Sequence, residues 1–155
     1  MLSAGVLLKM RLLGIKVDIS PQILILFAMA VFILPFRWLM AILIGASVHE
    51  LGHLLALRLS KAPVEGLWIG LSGARITTGL LSPGTELLCA CAGPGAGLLL
   101  LGLGRLYPEL AICAFVQSAF NLIPIMPFDG GRILVCAMNW IFPQHHSGKI
   151  INGWK

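Results

Sequence analysis

Five consecutive residues, His49-Glu50-Leu51-Gly52-His53, bring together the side chains from which a hydrolytic metal centre can be built. On a helix, residues four apart project from one face, so both imidazoles aim at one point. That is the arrangement a zinc ion needs from its first two ligands, and it leaves Glu50 beside the metal as a general base. In a chain with 4 His and 6 acidic residues, an accidental H-E-x-x-H has odds of about 0.004, so a pair of core histidines that only hydrogen-bond is the weaker account. The flanks, Ser47-Val48 and Leu54-Leu55-Ala56, are apolar, so three ionisable groups fall near the middle of a membrane-spanning stretch, where each is costly and marks function.

The whole chain has that character. Of its 155 residues 58% are hydrophobic and 11% charged, and the mean hydropathy is +0.95. Those values describe a single-domain polytopic membrane protein (residues 1–155) and exclude an ordinary soluble globule. The net charge of +5 comes from cations scattered singly, which suits loops at an anionic leaflet and argues against a nucleic-acid partner. Cys89, Cys91, Cys113 and Cys136 form no C-x-x-C and lie in apolar runs, so they read as packing residues. Lys9, Arg11 and Lys16 interrupt the first apolar stretch, against a cleavable signal peptide.

Four spans have to position the motif: 20–36, 38–59, 86–106 and a broken one over 110–142. The second carries His49 well inside the hydrocarbon, between Arg37 and Arg58. Between the second and third spans, residues 62–80 are β-prone and punctuated by Gly66, Gly70, Gly73 and Gly79. This predicts a small membrane-associated sheet or hairpin turning near Leu71-Ser72-Gly73. Leu12 to Ile19 reads as a further strand at the interface. Gly93-Pro94-Gly95-Ala96-Gly97 permits close helix packing about a proline kink. Pro124, Pro127, Gly130 and Gly131 break the last span, and irregular backbone at that depth belongs where it lines a cavity. Lys9, Arg11, Lys16, Arg58, Lys61, Arg75, Lys149 and Lys155 against Arg37 and Arg105 predict a multi-pass protein of the cell membrane with both termini cytoplasmic.

A catalytic zinc takes three protein ligands and leaves a fourth position to water. Asp18 is placed at an interface, Glu65 in the β segment, Glu86 at a helix start and Glu109 in the far connection. Asp129 alone lies in the broken span, in Asn121-Leu122-Ile123-Pro124-Ile125-Met126-Pro127-Phe128-Asp129-Gly130-Gly131. A turn or cap role before Gly-Gly is the plainer alternative for it. His145 and His146 are rival ligands, but they follow Pro143 in a polar tail and read as surface residues.

His49-Glu50-Leu51-Gly52-His53 on one span with Asn121-x-x-Pro124-x-x-Pro127-x-Asp129-Gly130 on a later one resembles the site-2 protease family of intramembrane metalloproteases. The likeness is greatest to compact bacterial members such as the sporulation factor that processes a pro-sigma factor. It runs from about Gly14 to Phe142, although Gly95 and Gly97 stand where many relatives carry an Asn. The resemblance implies an α-helical polytopic core of four spans that hydrolyses a membrane-spanning or membrane-associated protein. His49, His53 and Asp129 would hold Zn²⁺, Glu50 would be the catalytic base, and Asn121 would contact substrate. It leaves room for a regulatory membrane partner or a homo-oligomer. Two other classes compete: a metal transporter or sensor using the paired histidines, and an inactive membrane scaffold. Another zincin family would want a downstream Glu as third ligand, and the chain offers none that is suitable.

Overall fold

The computed structural model describes residues 8–12, 15–70 and 73–142. In chain order these form β1 (Leu8–Leu12), β2 (Ile15–Ile19), α1 (Gln22–Ile33), α2 (Phe36–Leu59), β3 (Val64–Gly70), β4 (Gly73–Thr78), α3 (Pro83–Leu99), a 3₁₀ turn (Leu100–Leu103), α4 (Pro108–Asn121) and α5 (Asp129–Ile141). The architecture is mostly helical with one small sheet.

The helix α2 is the axis. Pro35 sets its start in an extended conformation, and the next 24 residues contain no proline. Its end is a Schellman closure: Ala62 N–H returns to the Leu57 carbonyl (2.9 Å) and Lys61 N–H to that of Arg58 (3.1 Å). Lys61 takes the left-handed conformation this needs (φ 54°), at a cost of about 1 kcal/mol for a residue with a Cβ. Ala62 then packs on the cluster of Ala56, Leu57 and Cys89, with Val64, Ile76 and Leu81. The closure thereby ties the end of α2 to both the sheet and α3.

The packing is inverted relative to a soluble bundle. The buried stripe of α2 is Leu39, Ala41, Gly45, His49, Gly52, His53, Ala56 and Leu57, small or polar for the most part. Ile42, Leu43, Ile44, Leu51, Leu55 and Leu59 face outward. Small residues inside and large apolar ones outside are what helices packing within lipid require. A methyl added to Gly52 would stand 2.5 Å from the Ala92 carbonyl oxygen of α3 and 2.8 Å from the Ala96 side chain, so α2 and α3 touch through backbone. α3 starts on an N-cap, Ser82 Oγ accepting from Thr85 N–H at 3.3 Å, with Pro83 in its first turn. It continues through Pro94. Its second half lies against α4, where Ser118 Oγ–H donates to the Pro94 carbonyl at 3.2 Å.

Among the described residues two helices, α2 and the 21-residue Pro83–Leu103 segment, are long and apolar enough to cross a membrane. The expected first span, 20–36, contains only the 12 residues of α1, about 18 Å of helix, because Leu34 turns extended ahead of Pro35. None of its residues is buried. The expected broken span, 110–142, is two helices of 14 and 13 residues. α4 begins beside the start of α2, where Arg37 and Glu109 lie 3.7 Å apart, and runs parallel to it past Gly45.

The sheet is larger than the expected hairpin. Its order is β1-β2-β3-β4, with β2 parallel to β3 in the register Asp18↔Trp68 and Ile19↔Ile69. The expected strand Leu12–Ile19 therefore divides between β1 and β2, which pair antiparallel. Leu71 and Ser72, His145 and His146, and the tail lie outside the described residues.

Candidate metal centre

His49 and His53 occupy successive turns of the buried stripe, and their Nε2 atoms approach to 3.2 Å. Asp129 opens α5, and its Oδ2 lies 3.2 Å from His49 Nε2 and 3.2 Å from His53 Nε2. The three donors form an equilateral triangle between residues only 3%, 7% and 7% exposed (His49, His53 and Asp129). Counted from Leu59, His49 is about 15 Å along α2, half the thickness of a hydrocarbon core.

The triangle tests whether a metal fits. A tetrahedral ion with bonds of about 2.0–2.1 Å separates its ligand atoms by about 3.3–3.4 Å, close to the observed edges, and leaves one corner open. Hydrogen bonding points the same way. His53 Nδ1 is 2.7 Å from the Cys89 carbonyl, which can only accept, so Nδ1 carries the proton. In the neutral ring the Nε2 lone pair then faces the Asp129 carboxylate and the other imidazole. The His53 Nε2 lone pair and the Asp129 carboxylate are then two acceptors brought together, and they repel one another unless a cation or a shared proton lies between them. Two imidazoles and a carboxylate are a zinc donor set, and the residues fit a divalent ion.

Neighbouring elements confine the donors. The imidazoles meet edge to face, centroids 4.9 Å apart at 82°, over Gly93 of α3, where a methyl group would overlap both rings. Asp129 is placed by the turn before it. A Cβ on Gly131 would lie 2.7–2.8 Å from the backbone of Ile125 and Met126, so the start of α5 is pressed onto the 122–128 connection. Arg132, one turn on, sets Nη1 3.8 Å from Asp129 Oδ1, which leaves Oδ2 to the histidines. A carboxylate in the first turn is also favoured by the helix dipole.

The structure thus brings His49, His53 and Asp129 together. Glu50 follows His49 on α2, half-buried. Asn121 ends α4, half-buried, and no hydrogen bond joins it to the triangle among the described residues. Three contributors were missed in the sequence. Arg132 had a signal, a lone cation one helical turn after Asp129. Gly93 was legible only as a helix-packing residue, and the Cys89 carbonyl, a backbone group, had no signal.

A solved structure, the site-2 protease from Methanocaldococcus jannaschii, aligns with a TM-score of 0.68 over 87% of this chain and 73% of that one, at 20% identity. The chain has the fold of that site-2 protease. No protein-family model and no curated protein sequence matches it.

Proposed function

We propose that the protein is a zinc-dependent intramembrane endopeptidase that cleaves a membrane-spanning or membrane-associated protein. The observation that carries this reading is the 3.2 Å donor triangle buried at mid-height of α2, within a site-2 protease fold. His49, His53 and Asp129 would hold the ion, which when bound polarises a scissile carbonyl and acidifies a water. Glu50, next to the ligands and free of any side-chain hydrogen bond or ion pair among the described residues, takes the proton of the attacking water and returns it to the leaving amine. Asn121, at the end of α4, donates its amide to the substrate or the developing oxyanion.

The bundle lies in the cell membrane as a multi-pass protein, with both termini and the sheet on the cytoplasmic side. Supporting this are the outward-facing apolar residues of α1, α2 and α5 and the cations Arg58, Lys61 and Arg75 near the sheet. A substrate helix hides its amides, so it must be drawn out into extended chain before attack. Among the described residues β4 is paired on one side only, and its other edge accepts the extended segment as an added strand.

The test is co-expression with single-span substrates, comparing wild type with Glu50→Gln. Cleavage should fall at least about 100-fold, as for a lost general base, with bound zinc unchanged. A transporter or sensor would keep its function, and retained cleavage would sink the endopeptidase reading.

A further inference from the structure

The two imidazoles are not equally supported. His53 Nδ1–H donates to the Cys89 carbonyl at 2.7 Å, whereas His49 Nδ1 is fully buried and makes no hydrogen bond among the described residues. When His49 Nε2 faces a cation, Nδ1 must carry the proton, and an unmet buried N–H costs about 1–3 kcal/mol. Ligating histidines meet that need with an acceptor behind the ring.

One side chain is placed to supply it. Gln117 of α4 is half-buried and its amide makes no hydrogen bond among the described residues. Its Oε1 lies 3.3 Å from where a Cβ on Gly45 would stand. Gly45 precedes His49 by one turn on the same buried stripe, and a helical side chain leans back over the turn before it. That direction carries the His49 side chain toward the turn of Gly45, the level at which Gln117 Oε1 stands. The missing side chain at Gly45 keeps that gap open. Of the polar neighbours on α4, Ser118 already donates to Pro94, and Asn121 stands a further turn along.

We propose that Gln117 is a positioning residue for the metal centre. Its Oε1 turns onto His49 Nδ1–H when an ion binds, fixing the tautomer and ring plane that present Nε2. The inference rests on the metal-centre reading above.

The experiment is zinc competition against a chromophoric chelator, using the full chain in detergent micelles, with cobalt(II) absorption as a second readout. Gln117→Leu keeps the volume and removes the acceptor, and should weaken zinc binding about 10–100-fold. The cobalt spectrum should shift, while the thermal midpoint of metal-free protein stays put. Gln117→Glu restores an acceptor and should return affinity to wild type or above. If Gln117→Leu binds zinc as wild type does, or Asn121→Leu alone produces the loss, the assignment to Gln117 is wrong. A role for Gln117 in folding alone would lower the metal-free midpoint and leave affinity per folded molecule unchanged, and this also overturns it. If wild type binds no zinc, or binds it as well after His49→Ala, the metal-centre reading itself fails.

Discussion

The two sides of the metal centre are made by opposite means. On the α2–α3 side, two continuous helices lie backbone against backbone. The ligands follow from helical period, the His53 ring is held by the Cys89 carbonyl, and both rings lie against the bare surface of Gly93. On the α4–α5 side the helix is interrupted, and Asp129 reaches the histidines because a seven-residue connection ends where it does. A rigid surface tolerates no added atom, whereas a turn can redistribute a displacement over several dihedral angles. The first side should therefore fail abruptly and the second by degrees.

Gly93→Ala is the severest way to break that comparison. The added methyl overlaps both imidazoles, and neither can retreat, since each is on the buried stripe of α2. If displacing the rings costs about 3 kcal/mol, zinc affinity falls about 100-fold or more. Zinc content of purified protein, with circular dichroism to verify the helices, is the check. Zinc binding as in wild type would mean that the α2–α3 contact is looser than its geometry implies.

Gly131→Ala probes the other side. Its Cβ would meet the Ile125 and Met126 backbone at 2.7–2.8 Å. That is a real overlap, but against a connection that can yield. We expect about 1–3 kcal/mol of lost stability and a loss of zinc affinity smaller than that of Gly93→Ala, read by thermal melting and chelator competition. Should it weaken zinc more than Gly93→Ala does, the turn is the stiffer side and the comparison is inverted.

The same contrast explains what the sequence disclosed. His49, Glu50 and His53 were legible because period places them, and a period is local. Asp129 was legible for a different reason: acids are so few that one at membrane depth stands out. The sheet was half legible. β3 and β4 follow each other closely in sequence, but the parallel pairing of β2 with β3 joins residues some fifty positions apart, which no local pattern records. The 12-residue length of α1 was hidden because apolar character runs on through Leu34 and Pro35 to Phe36 while the helix stops at Ile33. Hydropathy measures solvent preference and is silent on where a backbone turns. Gly93 and Gly45 carry the same letter as glycines that only ease packing. Their particular work, clearing space for two imidazoles and for an amide, depends on which helix lies opposite.

The smallest effect is expected at the far end of the bundle. Arg37 lies 3.7 Å from Glu109 with its side chain 85% exposed, so the pair is screened by its surroundings and contributes about 0–1 kcal/mol. Glu109 is in the first turn of α4, where the helix dipole favours it with or without the arginine. Arg37→Ala should therefore leave zinc affinity unchanged and shift the thermal midpoint by a degree or two. If both sides of the centre are built by contacts at their own level, nothing near Arg37 can reach the imidazoles. Weaker zinc binding in Arg37→Ala would show that α4 slides as a rigid rod along α2, carrying the 122–128 connection with it, and the turn would then be a transmitter and not a cushion.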